Sequence, residues 1–316
     1  MSDNLAEEDP TQSPEPELEA GDLVVSHARS IATLATQLLP TAATPGALHV
    51  VSTPIGHLAD ISIRALAVLH QVAAVCCEDT RTSRTLLQRY GIHTTMVALH
   101  EHNEAQTTPR VLDRLRAGES IALVSDAGTP LVSDPGARLV DAAVAAGLRV
   151  VPIPGASATL AALVASGITP HPCTILGFLP RKGGERVEAI KLATALPHAV
   201  VLFEASHRVA QTLRDLAAVG GGDRPVAVAR ELTKKFEEVR RGTLDELAAY
   251  YEDTGPRGEI VLVLGGATVV APTESDLAAI AAELRAEGRR PREIVQLLMD
   301  EHAASRNLAY RLAHDT

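Results

Sequence analysis

Aromatic side chains are scarce in this sequence. They account for 2% of its 316 residues, with three Phe, four Tyr and no Trp. Proteins that bind single-stranded nucleic acid commonly stack its bases on aromatic rings. The composition therefore argues against an aromatic stacking platform, and any RNA substrate would have to be held by charge and shape.

Cysteine is also rare, and long apolar runs are absent. The three cysteines include the adjacent pair Cys76 and Cys77, which cannot build a spaced disulfide framework or a four-thiolate zinc site. No run approaches the roughly 20 apolar residues needed to span a bilayer. The first residues carry none of the positive charge that begins a secretory signal. We therefore expect a soluble cytoplasmic protein with no membrane partner.

Several common ligand motifs are missing. No G-x-G-x-x-G follows a predicted strand, which argues against a dinucleotide-binding turn, and no Gly-Lys pair exists for a phosphate-binding P-loop. H-E-x-x-H and C-x-x-C are absent as well. His100 and His102 are two residues apart, a spacing that puts strand side chains on opposite faces. We therefore predict that the protein binds no metal.

Acidic residues are concentrated at the amino terminus. The net charge is −10, but residues 1–22 contain eight acidic side chains and no basic one. The remaining sequence is nearly neutral, so the net charge says little about the substrate. Because this segment is also rich in Pro and Ser and has little to bury, we predict a disordered acidic N-terminal extension over residues 1–47.

From Leu48 onward, short β-branched runs alternate with Ala- and Leu-rich amphipathic stretches. This alternation predicts a parallel sheet covered by helices. Asp134 is expected to cap the fourth helix, and Gly147 is expected to end it. The predicted strands are 48–54, 72–78, 96–99, 120–126 and 149–153, and the predicted helices are 62–70, 80–90, 107–117, 135–146 and 157–166.

Two prolines within 167–173 interrupt this pattern and mark a domain boundary. Beyond it, two runs joined by a short polar link predict an antiparallel hairpin and hence a mixed sheet. The second-domain strands are predicted at 174–179, 199–204, 225–233, 237–243 and 259–264, with helices at 185–195, 207–219 and 244–251.

The fold class predicted from these patterns is α/β, with two α/β domains and a helical C-terminal tail. The tail contains periodic apolar residues at 277–285 and 294–299 and a last stretch around Tyr310. The predicted divisions are an N-terminal α/β domain over 48–170, a C-terminal α/β domain with a mixed sheet over 171–268, and the tail over 269–316.

Ser157 has two interpretations. The segment 155–159 follows a predicted strand and is similar to the nucleophile elbow of serine hydrolases, with the last glycine replaced. Ser is also a preferred helix N-cap, and Ala- and Leu-rich sequence follows it. Capping is favoured, because the strained elbow relies on small residues on both sides and no Gly-rich oxyanion loop appears upstream. A serine hydrolase remains an alternative.

Polar residues and glycines collect where the predicted strands of the first domain end. Ligands of open α/β sheets bind at this edge. Asp126 supplies negative charge at a strand end, and the small residues after it let the backbone approach a ligand closely. Such a loop suits a cationic or hydroxyl-bearing ligand. The strand-end loops are 52–57, 78–81, 100–104 and 125–136.

Basic residues occupy the corresponding loops of the second domain. If those loops meet, they form a basic rim around a nearly neutral cleft, which favours a polyanion through steering and phosphate contacts. The residues predicted to make these contacts are Arg181, Lys182, Arg208, Lys234, Lys235, Arg240 and Arg241.

Short motifs occur in a fixed order between Leu48 and Gly266. They are Val51-Ser-Thr-Pro-Ile-Gly56, Glu78-Asp-Thr-Arg81, His100-Glu-His-Asn-Glu104, Ser125-Asp-Ala-Gly-Thr-Pro130, Ser133-Asp-Pro-Gly136, Pro154-Gly-Ala-Ser157, Gly177-Phe-Leu-Pro180, His207-Arg208 and Arg230-Glu-Leu-Thr-Lys234. Together they resemble the ribosomal RNA small subunit methyltransferase I family of the tetrapyrrole methylase superfamily. The Ser-Thr-Pro-Ile-Gly loop differs from the glycine-proline loop of tetrapyrrole-modifying members, which favours RNA as the substrate.

The resemblance implies an S-adenosylmethionine-dependent enzyme that methylates the ribose 2′-oxygen of a cytidine in the decoding region of 16S rRNA. It also implies a homodimer that acts on 16S rRNA or the small ribosomal subunit and holds the cofactor between its two α/β domains. The N-terminal 47 residues have no counterpart in the family, and His57 stands where relatives usually have Asn. Carried over by motif, the cofactor positions are Asp126, Ala127, Gly128, Leu131, Ser157, Ala158, Phe178, Glu204, Arg230, Glu231 and Gly258.

Methyl transfer to a hydroxyl also suggests catalytic candidates. An in-line displacement is favoured by a tight cleft that holds donor and acceptor in near-attack geometry. The ribose hydroxyl is a very weak acid, so a proton acceptor helps, and the strand-end candidates are Glu101, His57, His102 and Asp79. Arg81 and Arg208 could instead hold the adjacent phosphate. We take Glu101, Arg81 and His57 as the catalytic predictions.

Two further interpretations stay open. A corrin or diphthine-type methyltransferase of the same fold would not need the basic rim. A non-catalytic RNA-binding module could use the tail 275–316, whose six arginines nearly balance its seven acidic residues.

Overall fold

A computed structural model describes residues 20–267, 273–302 and 304–314, with only the backbone described for 20–27. The chain divides into two compact units. The first contains both α/β sheets and ends at Gly265, and the second contains the C-terminal helices from Gly266 together with Ala195–Pro197.

The first sheet is entirely parallel, with strand order β3-β2-β4-β1-β5. Its carboxyl ends therefore lie at one edge, and the loops that follow the strands are neighbours there. The strands are β1 (Leu48–Val51), β2 (Ala74–Cys77), β3 (Met96–Ala98), β4 (Ile121–Leu123) and β5 (Val150–Ile153). The helices are α1 (Ala20–Leu38), α2 (Ile63–Gln71), α3 (Thr80–Arg89), α4 (Glu104–Arg116), α5 (Ala137–Ala145) and α6 (Ala158–Ala165).

Both faces of this sheet are covered. Helices α1, α2 and α3 pack on one face, where Leu66 and Leu69 meet Val75. Helices α4 and α5 pack on the other, where Leu115 and Leu139 meet Leu48 and Leu123. Burial of each such Leu side chain contributes roughly 1.5–3 kcal/mol, and coverage of both faces explains the continuous apolar runs of these strands.

Helix α1 corrects the prediction for the amino terminus. Disorder over residues 1–47 is wrong for 20–38, which form this helix. Ala28, Ala32 and Ala35 lie on one side of it and are buried in the core of the first domain. Such a side is hard to recognise in sequence because only small alanines are buried on it, whereas the larger Ile31, Leu34 and Leu38 are exposed. Residues 1–19 lie outside the described part of the chain.

The second sheet is mixed, with strand order β6-β7-β10-β8-β9. Only β6 and β7 pair in parallel, and the predicted hairpin of β8 and β9 is confirmed by the pairing of Val228 with Arg240. The strands are β6 (Cys173–Phe178), β7 (Ala199–Ala205), β8 (Pro225–Arg230), β9 (Glu238–Thr243) and β10 (Glu259–Leu264). The helices are α7 (Gly184–Ala195), α8 (Val209–Gly220) and α9 (Leu244–Thr254).

Two of the three predicted helix boundaries hold. Ser157 caps α6, because its Oγ accepts a hydrogen bond from the Leu160 N–H at 3.5 Å. Gly147 adopts φ +68° just after α5 and donates to the Val144 carbonyl, which is how glycine commonly ends a helix. The cap assigned to Asp134 is wrong. The residue before α5 is Gly136, which makes no side-chain cap, and Asp134 faces a cavity instead.

The C-terminal unit has its own small core. Helices α10 (Glu274–Ala286), α11 (Pro291–Asp300) and α12 (Arg306–His314) bury Leu277, Ile294, Leu298 and Leu312 against one another. In the described part of the chain, no helix is both long enough and apolar enough to cross a membrane.

Candidate functional site

A cavity of about 360 Å³ lies between the two α/β domains. Its walls come from the carboxyl-end loops of the first sheet and from the facing edge of the second sheet. The first domain contributes Ile55, Ala127, Gly128, Thr129, Val132, Ser133, Asp134, Ser157, Ala158 and Thr159, and the second contributes Phe178, Phe203, Glu204, Ala205, Ala229, Leu232, Gly258, Glu259, Ile260 and Val261.

The loop after β4, residues 125–136, is held by contacts with its neighbours in the first domain. Thr53 and Gly128 exchange backbone hydrogen bonds of 2.8 and 3.1 Å. The Thr129 hydroxyl contacts Ser52 Oγ at 2.9 Å and donates to the Ala156 carbonyl at 3.1 Å. Gly128 has φ +80°, and a β-carbon there would lie 3.2 Å from Ile55 Cγ2. The glycine therefore permits both the turn and the close approach of the loop to the β1 end.

Backbone strain is concentrated in two loops beside this cavity. Among the described residues, four non-glycine residues have positive φ: Leu131 at 74°, Ser133 at 76°, Glu231 at 50° and Thr233 at 63°. Each such residue costs on the order of 1–3 kcal/mol, and residues of this kind cluster at ligand sites. The first two lie in the loop after β4, and the other two lie in the loop after β8.

Carboxylates hold the second-domain wall in place. Glu231 Oε1 accepts the Glu259 N–H at 3.0 Å and pairs with Lys234 Nζ at 3.1 Å. The Glu259 N–H is the main reason that the pKa of Glu231 is lowered. Gly258 has φ +94°, and a β-carbon there would overlap Glu231 at 2.3 Å from Oε1. A side chain at Gly258 would therefore displace this carboxylate.

The deeper second-domain wall combines a buried acid with two aromatic rings. Glu204 is 3% exposed and accepts the Thr212 hydroxyl and the Ala205 N–H, the latter at 2.8 Å. Arg208 Nε lies 3.4 Å from Glu204 Oε1. The rings of Phe178 and Phe203 pack with centroids 5.3 Å apart, which gives this side of the cavity an apolar surface.

Asp134 is the residue with the most perturbed acidity in the cavity wall. Burial raises its pKa to about 6, the charge of Glu78 adds to the rise, and a hydrogen bond from Ser125 opposes it. The pKa of Asp126 is also raised, chiefly by burial, although its carboxylate accepts the Asp79 N–H at 3.2 Å. Carboxyl groups tuned towards neutrality are common at functional sites.

The cavity collects most, but not all, of the predicted cofactor residues. Asp126 and Leu131 lie in the loop after β4 but outside the lining, Arg230 pairs with Glu238 at 3.3 Å, and Glu231 supports the wall from behind. Those that line it are Ala127, Gly128, Ser157, Ala158, Phe178, Glu204 and Gly258. Sequence reasoning missed Asp134, whose only signal was its place in a strand-end loop.

The three predicted catalytic residues are not brought together. Glu101 is exposed after β3, and none of the three belongs to the cavity wall. Arg81 pairs with Asp79 at 2.8 Å and, as the largest cause, lowers the pKa of that carboxyl to about 2. His57 Nδ1 accepts the Ala59 N–H at 3.3 Å.

The predicted basic residues separate into different environments. Arg181, Lys182 and Lys235 are exposed, Arg208 pairs with Glu204, and Lys234 pairs with Glu231 and Glu259. Arg240 and Arg241 do not join a cluster. Neighbours in a strand point to opposite faces, so Arg240 lies 3.8 Å from the Tyr250 ring centroid, while Arg241 Nε donates to the Ser166 carbonyl at 3.0 Å.

No group of three or more His, Cys, Asp or Glu side chains in the described ranges is arranged to hold a metal ion. Ser157 Oγ contacts Leu160 N–H and Thr159 Oγ1, and no histidine of the described residues hydrogen-bonds to it. The contacts of Ser157 are therefore those of a helix cap.

The two sheets and the cavity between them define a methylase fold. The family model for Tetrapyrrole (Corrin/Porphyrin) Methylases matches residues 47–248. A structure of uroporphyrin-III C-methyl transferase from Thermus thermophilus, complexed with S-adenosylhomocysteine, is similar with a TM-score of 0.52 and 18% identity, over 69% of this chain and 96% of that chain. The predicted fold class is thereby confirmed.

Sequence relatives identify the group within this fold. A protein of Mesorhizobium japonicum named ribosomal RNA small subunit methyltransferase I is 49% identical over 76% of this chain and 82% of its own length. A protein of Xylella fastidiosa with the same name is 46% identical over 82% of this chain and 90% of its own length. This chain belongs to the ribosomal RNA small subunit methyltransferase I family, as the sequence motifs predicted.

Proposed function

We propose that this protein transfers a methyl group from S-adenosylmethionine to the ribose 2′-oxygen of a cytidine in the decoding region of 16S rRNA. The observation that carries the proposal is the cavity shared by two domains, bordered on both sides by strained loops, in a chain whose relatives are named for methylation of small-subunit rRNA. The solved structure with S-adenosylhomocysteine adds support for this cofactor.

The chemistry of the cavity fits S-adenosylmethionine. Phe178 and Phe203 offer an apolar surface for an adenine ring, and the Gly128 backbone would leave room for a ligand where a side chain would not. At the opposite wall, the Asp134 carboxylate suits a cationic group. When bound, the cofactor would supply an electrophilic methyl group on a positively charged sulfur.

Asp134 is our candidate for the proton acceptor. A general base works best when its pKa lies near the operating pH, and burial moves this carboxyl to about 6. At neutral pH it is ionised and able to accept the proton that the ribose hydroxyl loses. Glu101, His57 and Arg81 lie outside the cavity wall, so we assign them roles in positioning the substrate rather than in proton transfer.

Cofactor binding is tested by calorimetric titration with S-adenosylmethionine. We expect clear binding by the wild type and a substantially weaker affinity for Asp126→Ala, because loss of the carboxylate frees the loop from the Asp79 N–H. Asp141→Ala, at an exposed position of α5, serves as the matched control and should bind normally. An absence of binding by the wild type would contradict the proposal.

Substrate identity is tested by transfer of labelled methyl groups to small ribosomal subunits that lack this modification, and to their naked rRNA. The label should appear on a cytidine 2′-oxygen of the decoding region. Label transfer only to a porphyrinoid or to a protein would favour the corrin or diphthine-type alternative. The homodimer and the cytoplasmic location remain predictions, and sedimentation of the purified protein tests the first.

A further inference from the structure

A second cavity, of about 730 Å³, lies on the other side of the contact between the two domains. Its walls come from four segments that are far apart in sequence. Ile31 belongs to α1, His57 and Leu58 follow β1, Arg89 ends α3, and Lys235 follows β8. We call this cavity the basic groove.

The basic groove and the first cavity are separated by a contact between the loop after β1 and the loop after β8. The His57 N–H donates to Thr233 Oγ1 at 3.0 Å. A β-carbon on Gly56 would lie 2.7 Å from Thr233 Oγ1 and 3.0 Å from the Leu232 carbonyl, so glycine lets the loops touch. Ile55 and Leu232 line the first cavity, whereas the residues directly after each line the groove. A chain that crosses this contact would reach both.

The groove presents positive charge that its own carboxylates do not neutralise. Lys234 is paired with Glu231 and Glu259 at 3.1 and 3.2 Å. Arg89 and Lys235, by contrast, have no carboxylate within 4 Å among the described residues. Arg89 is half-buried and Lys235 is exposed, with its Nζ 5.6 Å from the centroid of the neighbouring Phe236 ring, so both can contact a polyanion.

His57 adds a hydrogen-bond donor to the same wall. Its Nδ1 accepts the Ala59 N–H at 3.3 Å, so in the neutral ring the proton is carried by Nε2. That atom can donate to an oxygen, and it cannot accept a proton without changing the ring tautomer. The geometry therefore suits a phosphate contact better than general-base catalysis.

The floor of the groove is apolar. Ile31 is 49% exposed and lines the groove together with Ala28 and Leu58, and the buried Tyr90 ring is fixed by its hydroxyl, which donates to the Leu58 carbonyl at 2.7 Å. An apolar surface in the same groove as cations that have no carboxylate partner suits a nucleotide, because the base can cover this surface while the phosphate meets the cations.

We propose that the basic groove binds the single-stranded RNA next to the methylated nucleotide. Arg89 and Lys235 contact its phosphates, His57 Nε2–H donates to a phosphate oxygen, and Ile31 of α1 packs against a base. The inference rests on the proposed function and adds to it a binding site and a role for the N-terminal helix.

The test uses equilibrium binding of fluorescently labelled, unmethylated small-subunit rRNA to the full-length protein. We expect Arg89→Gln and Lys235→Gln each to weaken binding roughly tenfold, as loss of a hydrogen bond to a charged group does. Each should also reduce the slope of log affinity against log salt by about 0.7, the value for one phosphate contact on a single strand. Arg110→Gln is the matched control, since α4 lies on the opposite face of the first sheet.

Calorimetry with S-adenosylmethionine on the same variants separates the two hypotheses. Normal cofactor affinity together with weaker RNA binding and a smaller salt slope supports the groove. Normal cofactor affinity and normal methyl transfer with unchanged RNA binding overturns the groove and leaves the proposed function standing. Tighter RNA binding also overturns it, because that result is expected if the groove instead holds the acidic N-terminal segment. If the wild type neither binds the cofactor nor methylates the rRNA, the proposed function fails and the groove inference fails with it.

Discussion

The loops after β4 and after β8 face each other across the first cavity and are stabilised by different means. Each contains two non-glycine residues with positive φ. The first loop is fixed mainly by uncharged groups, through Gly128 and Thr129, with one carboxylate contact in which Asp126 accepts the Asp79 N–H. The second is fixed by charge, because Glu231 holds Lys234 and the Glu259 N–H. The difference teaches that one wall is held mainly by uncharged hydrogen bonds, whereas the other depends on the Glu231 carboxylate.

The largest effect is expected at Asp134, the one ionisable residue that the loop after β4 contributes to the cavity lining. Asp134→Asn should lower kcat by about 100-fold or more, the usual contribution of a positioned proton acceptor. Wild-type kcat should rise through about pH 6 as Asp134 loses its proton, and the variant should lack this rise. Methyl-transfer rates from pH 5 to 8 provide the measurement, with Asp141→Asn, at an exposed position of α5, as control. A wild-type kcat in Asp134→Asn would refute the role.

The support of the loop after β8 can be tested at Gly258, which lies against the Glu231 side chain. Gly258→Ala should lower the free energy of unfolding by about 1–3 kcal/mol and weaken cofactor binding roughly tenfold, because the new β-carbon overlaps Glu231. Gly255→Ala is the control. It also has positive φ but meets nothing within 4 Å, so it should cost only the backbone term of about 1–2 kcal/mol and leave binding unchanged. Denaturant titration and calorimetry give the two readings. Equal cofactor affinity in both variants would show that Glu231 does not support the wall.

The role of His57 can be tested at the contact between the two α/β domains, where its N–H donates to the loop after β8. As a phosphate donor it should affect the KM for RNA, so His57→Ala should raise KM several-fold with little change in kcat. His57→Gln keeps a side-chain N–H donor and should restore part of the affinity. Steady-state kinetics from pH 5 to 8 measure both. A collapse of kcat with loss of the acidic limb of the profile would instead make His57 the base.

The pH dependence of stability tests the burial of Asp134. Its folded-state pKa of about 6 lies above the ordinary value of 3.8, so the folded protein binds more protons between these values and loses stability as the pH rises through this window. Asp134→Asn should therefore have a higher Tm than the wild type at pH 7.5, and the difference should shrink as the pH falls from about 6 to about 4. A lower Tm for the variant at pH 7.5 would mean that the carboxylate is not desolvated.

The smallest effect is expected at Ser157. Ser157→Ala should cost about 1 kcal/mol of stability through the lost cap on α6 and, because Ser157 lines the cavity, weaken cofactor binding less than Gly258→Ala does. Thermal unfolding and calorimetry are the measurements. Reaction of the wild type with a fluorophosphonate probe would revive the hydrolase interpretation.

The sequence predicts the elements whose signals are local. The ten strands of the described residues are all predicted, nine from runs of apolar residues and β9 from its place after a short polar link. The cap at Ser157 follows from one preferred residue before an apolar helix. The motifs also lead to the family and to Ala127 and Gly128 in the cavity wall.

Features that depend on packing are not predictable in this way. Helix α1 is fixed by small alanines that match a surface of the folded domain. Asp134 is predicted to cap a helix because Ser133-Asp-Pro-Gly136 is typical of a turn before a helix. Its position in the cavity wall depends on how the whole loop folds. Arg240 and Arg241 are adjacent in β9, but their side chains point to opposite faces of the sheet and therefore contact different partners.

The hydrogen bond from the His57 N–H to the Thr233 hydroxyl lies between the first cavity and the basic groove, so this one contact borders both. A ligand that displaces this contact from one side changes the space on the other side, so binding of the methyl donor and of RNA would be coupled through it. Measuring each ligand in the presence of saturating amounts of the other would give that coupling directly. The coupling should vary most in variants of Gly56, because only glycine lets the two loops approach each other at this contact.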